Sequence, residues 1–241
     1  MTALTPLQNA FLPAAYRDRL VVTEFAQGST AEAATYPVGF CAGLTAHWLA
    51  RRAGGKNWPS PQDGADAKAL STAAGATYAK YVSGVATAKK DMNEYTIVAR
   101  VVGSSLGGID GPDIAQVKPV LKDMLGSLGM SLDEESTPRI WKDGEGKQFI
   151  HEVAVLGAGY YYISIKCAQG SHALGLQIAS NKHDSACEFF DPNIGQLHYE
   201  NPTALKWSFS GLLGAYIQIR QFDFTSGFAV RVKPPQLKFA P

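Results

Sequence analysis

The sequence predicts an α+β protein, with a helical part over residues 1 to about 155 and an antiparallel sheet part over about 156–241. Three observations carry this prediction. Apolar residues recur at helical spacing after Cys41 and again from Ile114 to Leu128; the period falls to two from Tyr160 onward; and short, turn-rich separators divide the period-two segments. With 241 residues, 46% hydrophobic and 18% charged, the chain can bury a full core, and no linker or internal repeat divides it, so one domain over 1–241 is expected.

Residues 1–36 mix short apolar pieces, Leu4 to Leu12 and Leu20 to Phe25, and Val21–Phe25 fits either a short strand or a helix end. A helix runs from Cys41 to about Arg52 with Leu44, Trp48 and Leu49 at helical spacing, stopped by Ala53-Gly54-Gly55. Residues 62–92 read as helical, with Tyr78, Tyr81, Val82 and Val85 on one face. Glu94–Val102 has strand-like β-branched density, and the Gly103–Gly111 cluster reads as a connection. It lacks the G-K-[ST] ending of a phosphate loop and the strict G-x-G-x-x-G of a dinucleotide site. An amphipathic helix opens at Pro112 or Asp113 and ends at Gly129; residues 131–147 read as a polar loop, and Phe149–Leu156 as helix or strand. Strands follow over Tyr160–Cys167, Ser171–Ile178, Ala186–Phe190 and Gln196–Tyr199, which an antiparallel meander accommodates. Ala204–Tyr216 reads as a helix, and Ile217–Phe224 with Phe228–Val232 as closing strands.

Composition narrows the function classes. A net charge of +1, from 22 basic and 21 acidic residues, gives no reason to expect nucleic acid as partner. No segment approaches a membrane span, so stable membrane insertion is not expected. Cys41, Cys167 and Cys187 show no C-x-x-C spacing, so neither a disulfide framework, a metal site nor a cofactor is expected, and a reducing compartment fits. Met1–Leu20 lacks a basic stretch followed by an apolar one, which predicts synthesis in the cytoplasm without a cleavable signal peptide.

Cys41 is the candidate nucleophile because it opens a helix, where outward-pointing amides favour thiolate over thiol. A nucleophilic thiol needs a base, and the base needs an acceptor for its second ring nitrogen. His47 lies on the same helix pointing away, His183 and His198 sit in or near hairpin turns, and His151 lies in the ambiguous segment. His172 heads one strand and Asp191 ends the next in a hairpin arrangement, so the two can meet across neighbouring antiparallel strands. Trp48 and Trp207 are expected as core or groove-wall residues, the core being favoured, and Cys167 and Cys187 as buried, inert thiols.

Gly39-Phe40-Cys41 with Leu44 and Trp48, Gly159-Tyr160-Tyr161, Ser171-His172-Ala173-Leu174-Gly175 and Phe189-Phe190-Asp191-Pro192-Asn193-Ile194-Gly195 together resemble the YopT/AvrPphB-type cysteine proteases of the papain-like group. The resemblance follows motifs in order over residues 37 to about 220, without aligning 50–155. It implies a papain-like fold, a cysteine peptidase acting on a protein substrate, and Cys41 as nucleophile, His172 as general base and Asp191 as orienting carboxylate. It also implies a bacterial effector or toxin delivered into a host or competitor cell by a dedicated secretion system, with a secretion chaperone or immunity protein as further partners. The chain departs from papain-like enzymes where these often carry Gln or Asn five or six residues before the cysteine: Thr35 and Tyr36 stand there. The backbone N–H of Cys41 is then the first oxyanion donor expected, and Gln27, Thr35 and Tyr36 are candidates for the second. A glutamine deamidase or transglutaminase using the same three residues, and a non-catalytic binding module of the same shape, are the alternative readings.

Overall fold

The computed structural model describes residues 6–18, 20–30, 35, 40–59, 65–90, 114–142, 145–167, 170–182, 185–220 and 224–234. The elements are α1 (Pro6–Arg17), β1 (Val21–Glu24), a 3₁₀ turn (Gln27–Ser29), α2 (Cys41–Ala53), α3 (Ala65–Lys90), α4 (Ile114–Gly126), β2 (Ser131–Leu132), β3 (Arg139–Trp141), α5 (Gly146–Val153), β4 (Gly159–Cys167), β5 (Gly170–Ile178), β6 (Cys187–Asp191), β7 (Gly195–Tyr199), α6 (Pro202–Arg220) and β8 (Phe224–Lys233). The expected strand at Glu94–Val102 and the Gly103–Gly111 connection lie outside the described residues.

One antiparallel sheet runs in the order β1-β7-β6-β5-β4-β8-β2, with β3 also paired to β8. Its centre is the expected meander, β4 through β7. Alternation along β4 sends Tyr162 to one face and Tyr161, Ile163 and Ile165 to the other. The first face is covered by α2, α3 and α4 through Leu44, Trp48, Ala74, Leu121 and Leu125. The second is covered by α1, α5 and α6 through Leu7, Phe11, Phe149, Leu205, Phe209 and Leu212. Helices on both faces leave the central strands apolar on both sides, which is why Phe189 and Phe190, adjacent in sequence, are each fully buried.

Three expectations are corrected. The stretch 131–147 contributes β2 and β3, whose two and three residues are too short to show a period in a polar segment. Ile217–Arg220 continues α6 as helix, because the turn that precedes it outweighs the modest strand preference of two isoleucines. Trp207 is 74% exposed on α6, two residues from both Leu205 and Phe209 and so on the side of the helix opposite the stripe that faces the sheet. In addition, β1, β2 and β3 come from the N-terminal part yet join the sheet, so the division near residue 155 is one of chain order and not of layers.

Two close approaches fix the frame around the candidate site. A Cβ at Gly175 on β5 would run into the Trp48 ring on α2, so the helix sits directly on the strand that carries His172. Gly195 has φ +121°, and a Cβ there would meet the Thr23 carbonyl oxygen. Only glycine lets the turn after β6 lie this close to β1.

Candidate active site

Cys41 is the first residue of α2, and α2 is anchored on the same strands that carry the other two candidates. One turn into the helix, Thr45 Oγ1 donates to the Ala173 carbonyl at 3.0 Å, beside His172. Nearly a turn further, Trp48 stacks on Phe190, the residue before Asp191, with ring centroids 5.6 Å apart and planes 7° apart. Positions 41, 45 and 48 share one helix face, so the two anchors aim the cysteine side chain as well. The first intrahelical bond at this end is Leu44 N–H to the Phe40 carbonyl at 3.2 Å, and the N–H groups of Cys41, Ala42 and Gly43 precede it.

His172 and Asp191 project to the α6 side of the sheet. His172 shares its face with Leu174, Leu176 and Ile178, and Asp191 with Phe189 and Cys187. The β5–β6 ladder ends at Gly175–Phe190, so on that register Asp191 faces Leu174 and His172 stands two residues on, its diagonal neighbour. A ring and a carboxylate bridge such a diagonal readily. His172 Nε2 lies 2.9 Å from Asp191 Oδ1. The Cys41 side chain lies within hydrogen-bonding reach of His172, and with Nε2 committed to Asp191 the nitrogen that serves it is Nδ1. Burial alone pulls the imidazole down, but the charge and hydrogen bond of Asp191, reinforced by Cys41, outweigh it and carry His172 up to about 10.

Asp191 is fully buried, and each of its oxygens has a partner. Oδ1 takes the Asn193 N–H at 2.8 Å, an Asx-type turn set by the Asp-Pro-Asn sequence, in addition to His172. The Tyr216 hydroxyl, reaching down from α6, lies 2.9 Å from Oδ2 and 3.0 Å from Oδ1. Tyr216 was legible only as one more residue on the apolar stripe of α6. The missed signal is chemical: a tyrosine buried on a stripe otherwise made of hydrocarbon side chains needs a partner for its hydroxyl.

The oxyanion candidates separate. Gln27 follows β1, where its backbone N–H donates to the Pro192 carbonyl at 2.7 Å, and its side chain spans two parts of the site. Gln27 Oε1 accepts the Phe40 N–H at 3.1 Å, and Gln27 Nε2 donates to Asn193 Oδ1 at 2.8 Å. Thr35 is exposed in a turn, and Tyr36 lies outside the described residues.

The other histidines are placed elsewhere. His47 Nε2 pairs with Thr77 Oγ1 at 3.0 Å on α3, His198 with Glu188 at 2.9 Å, and His151 with Lys206 at 2.8 Å, while His183 lies outside the described residues. Cys187 is fully buried, and burial pushes its thiol up to about 11. Among the described residues no cluster of three His, Cys, Asp or Glu could hold a metal ion, and no helix is long and apolar enough to cross a membrane.

No family model and no curated protein matches the chain. Among solved structures it is similar to the Pseudomonas avirulence protein AvrPphB, at 16% identity and a TM-score of 0.59, over 90% of this chain and 98% of that one. The mixed architecture of helices and antiparallel sheet is therefore the fold of AvrPphB.

Proposed function

We propose that this protein is a cysteine protease of YopT-like type that cleaves a protein substrate with Cys41, His172 and Asp191. The observation that carries the reading is the pairing of a buried His172 with a buried Asp191 at 2.9 Å, with the thiol at the start of α2 within reach of the same ring. In the catalytic cycle His172 holds the proton of Cys41, and the thiolate attacks the substrate's peptide carbonyl, forming a C–S bond as the carbonyl π pair moves to oxygen. That oxyanion is received by the Cys41 N–H and by the second N–H of Gln27 Nε2, whose amide is held beside the helix start by Phe40. Collapse of the intermediate breaks the C–N bond, and His172 protonates the departing amine. Water, deprotonated by His172, then cleaves the thioester and returns the thiol. Asp191 keeps the imidazole in the tautomer that carries its proton on Nε2.

We further propose that the protein acts as an effector delivered into another cell. The AvrPphB fold supports this reading.

The test is cleavage of a proteome-derived peptide library read by mass spectrometry. The wild type is expected to produce new termini, and Cys41→Ala and His172→Ala none. Cleavage retained in Cys41→Ala overturns the proposal, and a gain of about one mass unit on glutamine without new termini replaces it with a deamidase.

A further inference from the structure

The Tyr216 hydroxyl sits at the junction of the buried pair and a second line of hydrogen bonds. It faces Asp191 Oδ2 at 2.9 Å and Oδ1 at 3.0 Å, accepts from Asn193 Nδ2 at 2.9 Å, and lies 3.1 Å from His172 Nε2. Asn193 Oδ1 in turn accepts from Gln27 Nε2 at 2.8 Å, and Gln27 Oε1 accepts the Phe40 N–H at 3.1 Å. The line thus leaves Asp191 on the α6 side of the sheet and arrives, through three side chains, at the residue preceding Cys41 on the other side. We infer that Tyr216 is a positioning residue of the site, fixing the Asp191 carboxylate toward His172 and, through Asn193 and Gln27, locking the start of the Cys41 helix to that carboxylate. The inference rests on the proposed Cys41–His172–Asp191 reading.

Each contact has a separate consequence. His172 and the Asn193 N–H both serve Oδ1, and among the described residues Tyr216 is the donor to Oδ2. Without it a buried carboxylate oxygen loses its partner and the carboxylate is freer to rotate away from His172. The ionisable groups around this centre are His172 from β5, Cys41 from α2, Tyr216 from α6 and Tyr199 from β7. Burial pushes both tyrosines up, so each remains a hydroxyl donor throughout the working range.

The test avoids any need for the natural substrate. Iodoacetamide alkylates a thiolate with loss of iodide, and its rate at Cys41, followed by peptide mass spectrometry with Cys41→Ala as blank, is measured from acid to alkaline pH. His172→Ala is expected to give a profile distinct from the wild type. Tyr216→Phe is expected to shift the acid limb of the profile to higher pH by about one unit, because a carboxylate that holds the imidazole less firmly leaves the ring less able to support the thiolate beside it. A Tyr216→Phe profile that superimposes on the wild type overturns the inference, even if the variant melts earlier, because lost packing alone leaves the profile in place. Should Tyr216→Phe not fold, Asn193→Ala is read instead: a shift in the same direction supports the inference, and superposition overturns it. A wild-type profile identical to that of His172→Ala overturns the three-residue reading itself, so the two failures are distinguishable.

Discussion

Two buried polar clusters lie on neighbouring strands, one on each face of the sheet, and they differ in where their charge sits. On the α2 face Gln196, fully buried, accepts from Trp48 Nε1 at 3.2 Å and from Trp58 N–H at 2.8 Å. Its Nε2 donates outward to Asn57 and Glu188, each at 3.0 Å. The inner end is neutral, and the charges of Glu188 and Arg52 lie at its outer, half-buried end, with the His198 ring against Glu188. On the α6 face the order is inverted: carboxylate and imidazole are innermost, and the line ends on a thiol. A neutral interior satisfied at both ends holds a loop against a strand. A charged interior carries the desolvation of two ions, which a fold seldom sustains without a chemical use.

The largest effect that would sharpen this contrast is expected at Asp191. Asp191→Asn should keep the fold yet cut turnover by on the order of 10³–10⁴, since an amide no longer fixes the productive tautomer of His172. Circular dichroism beside the library cleavage assay checks both halves. Gln196→Ala should do the reverse. It orphans an indole N–H and a backbone N–H and is expected to cost about 2–5 kcal/mol in urea denaturation, with unchanged alkylation of Cys41 in the protein that remains folded. If both variants lost stability alone, the two clusters would be the same kind of object.

A smaller effect comes from pH. His172 rises on folding from 6.5 to about 10, so its stabilising contribution is complete below the unfolded value and disappears as pH rises through the folded one. The stability difference between wild type and His172→Gln, measured by urea denaturation at several pH values, should therefore shrink toward alkaline pH. The smallest effect is expected at Trp207, whose exposed ring should tolerate Ser within about 0.5 kcal/mol in thermal denaturation.

The two clusters were not equally legible in the sequence. Cys41, His172 and Asp191 could be named because each combines a reactive group with a local signal: a helix start, a strand after a short turn, an Asp-Pro-Asn turn. The meander was legible because its strands are long enough to show their period. Tyr216 and Gln196 carried no such signal, since a tyrosine on a helical stripe and a glutamine in a strand acquire their roles only from what the fold puts opposite them. For the same reason β2 and β3 were hidden, being strands by virtue of β8 and not of their own residues. Gln27 was among the oxyanion candidates on the chemistry of its amide. Its place beside Phe40 depends on the approach of β1 to the turn that Gly195 permits, which no local pattern encodes.

The central claim is that Cys41, His172 and Asp191 act as one unit, and the most direct measurement is an NMR titration of the His172 imidazole in the wild type and in Cys41→Ala. The wild-type ring should keep its second proton until about 10, and loss of the thiol should move the transition downward. A His172 that titrates near its ordinary 6.5 and ignores the Cys41 substitution would contradict the account.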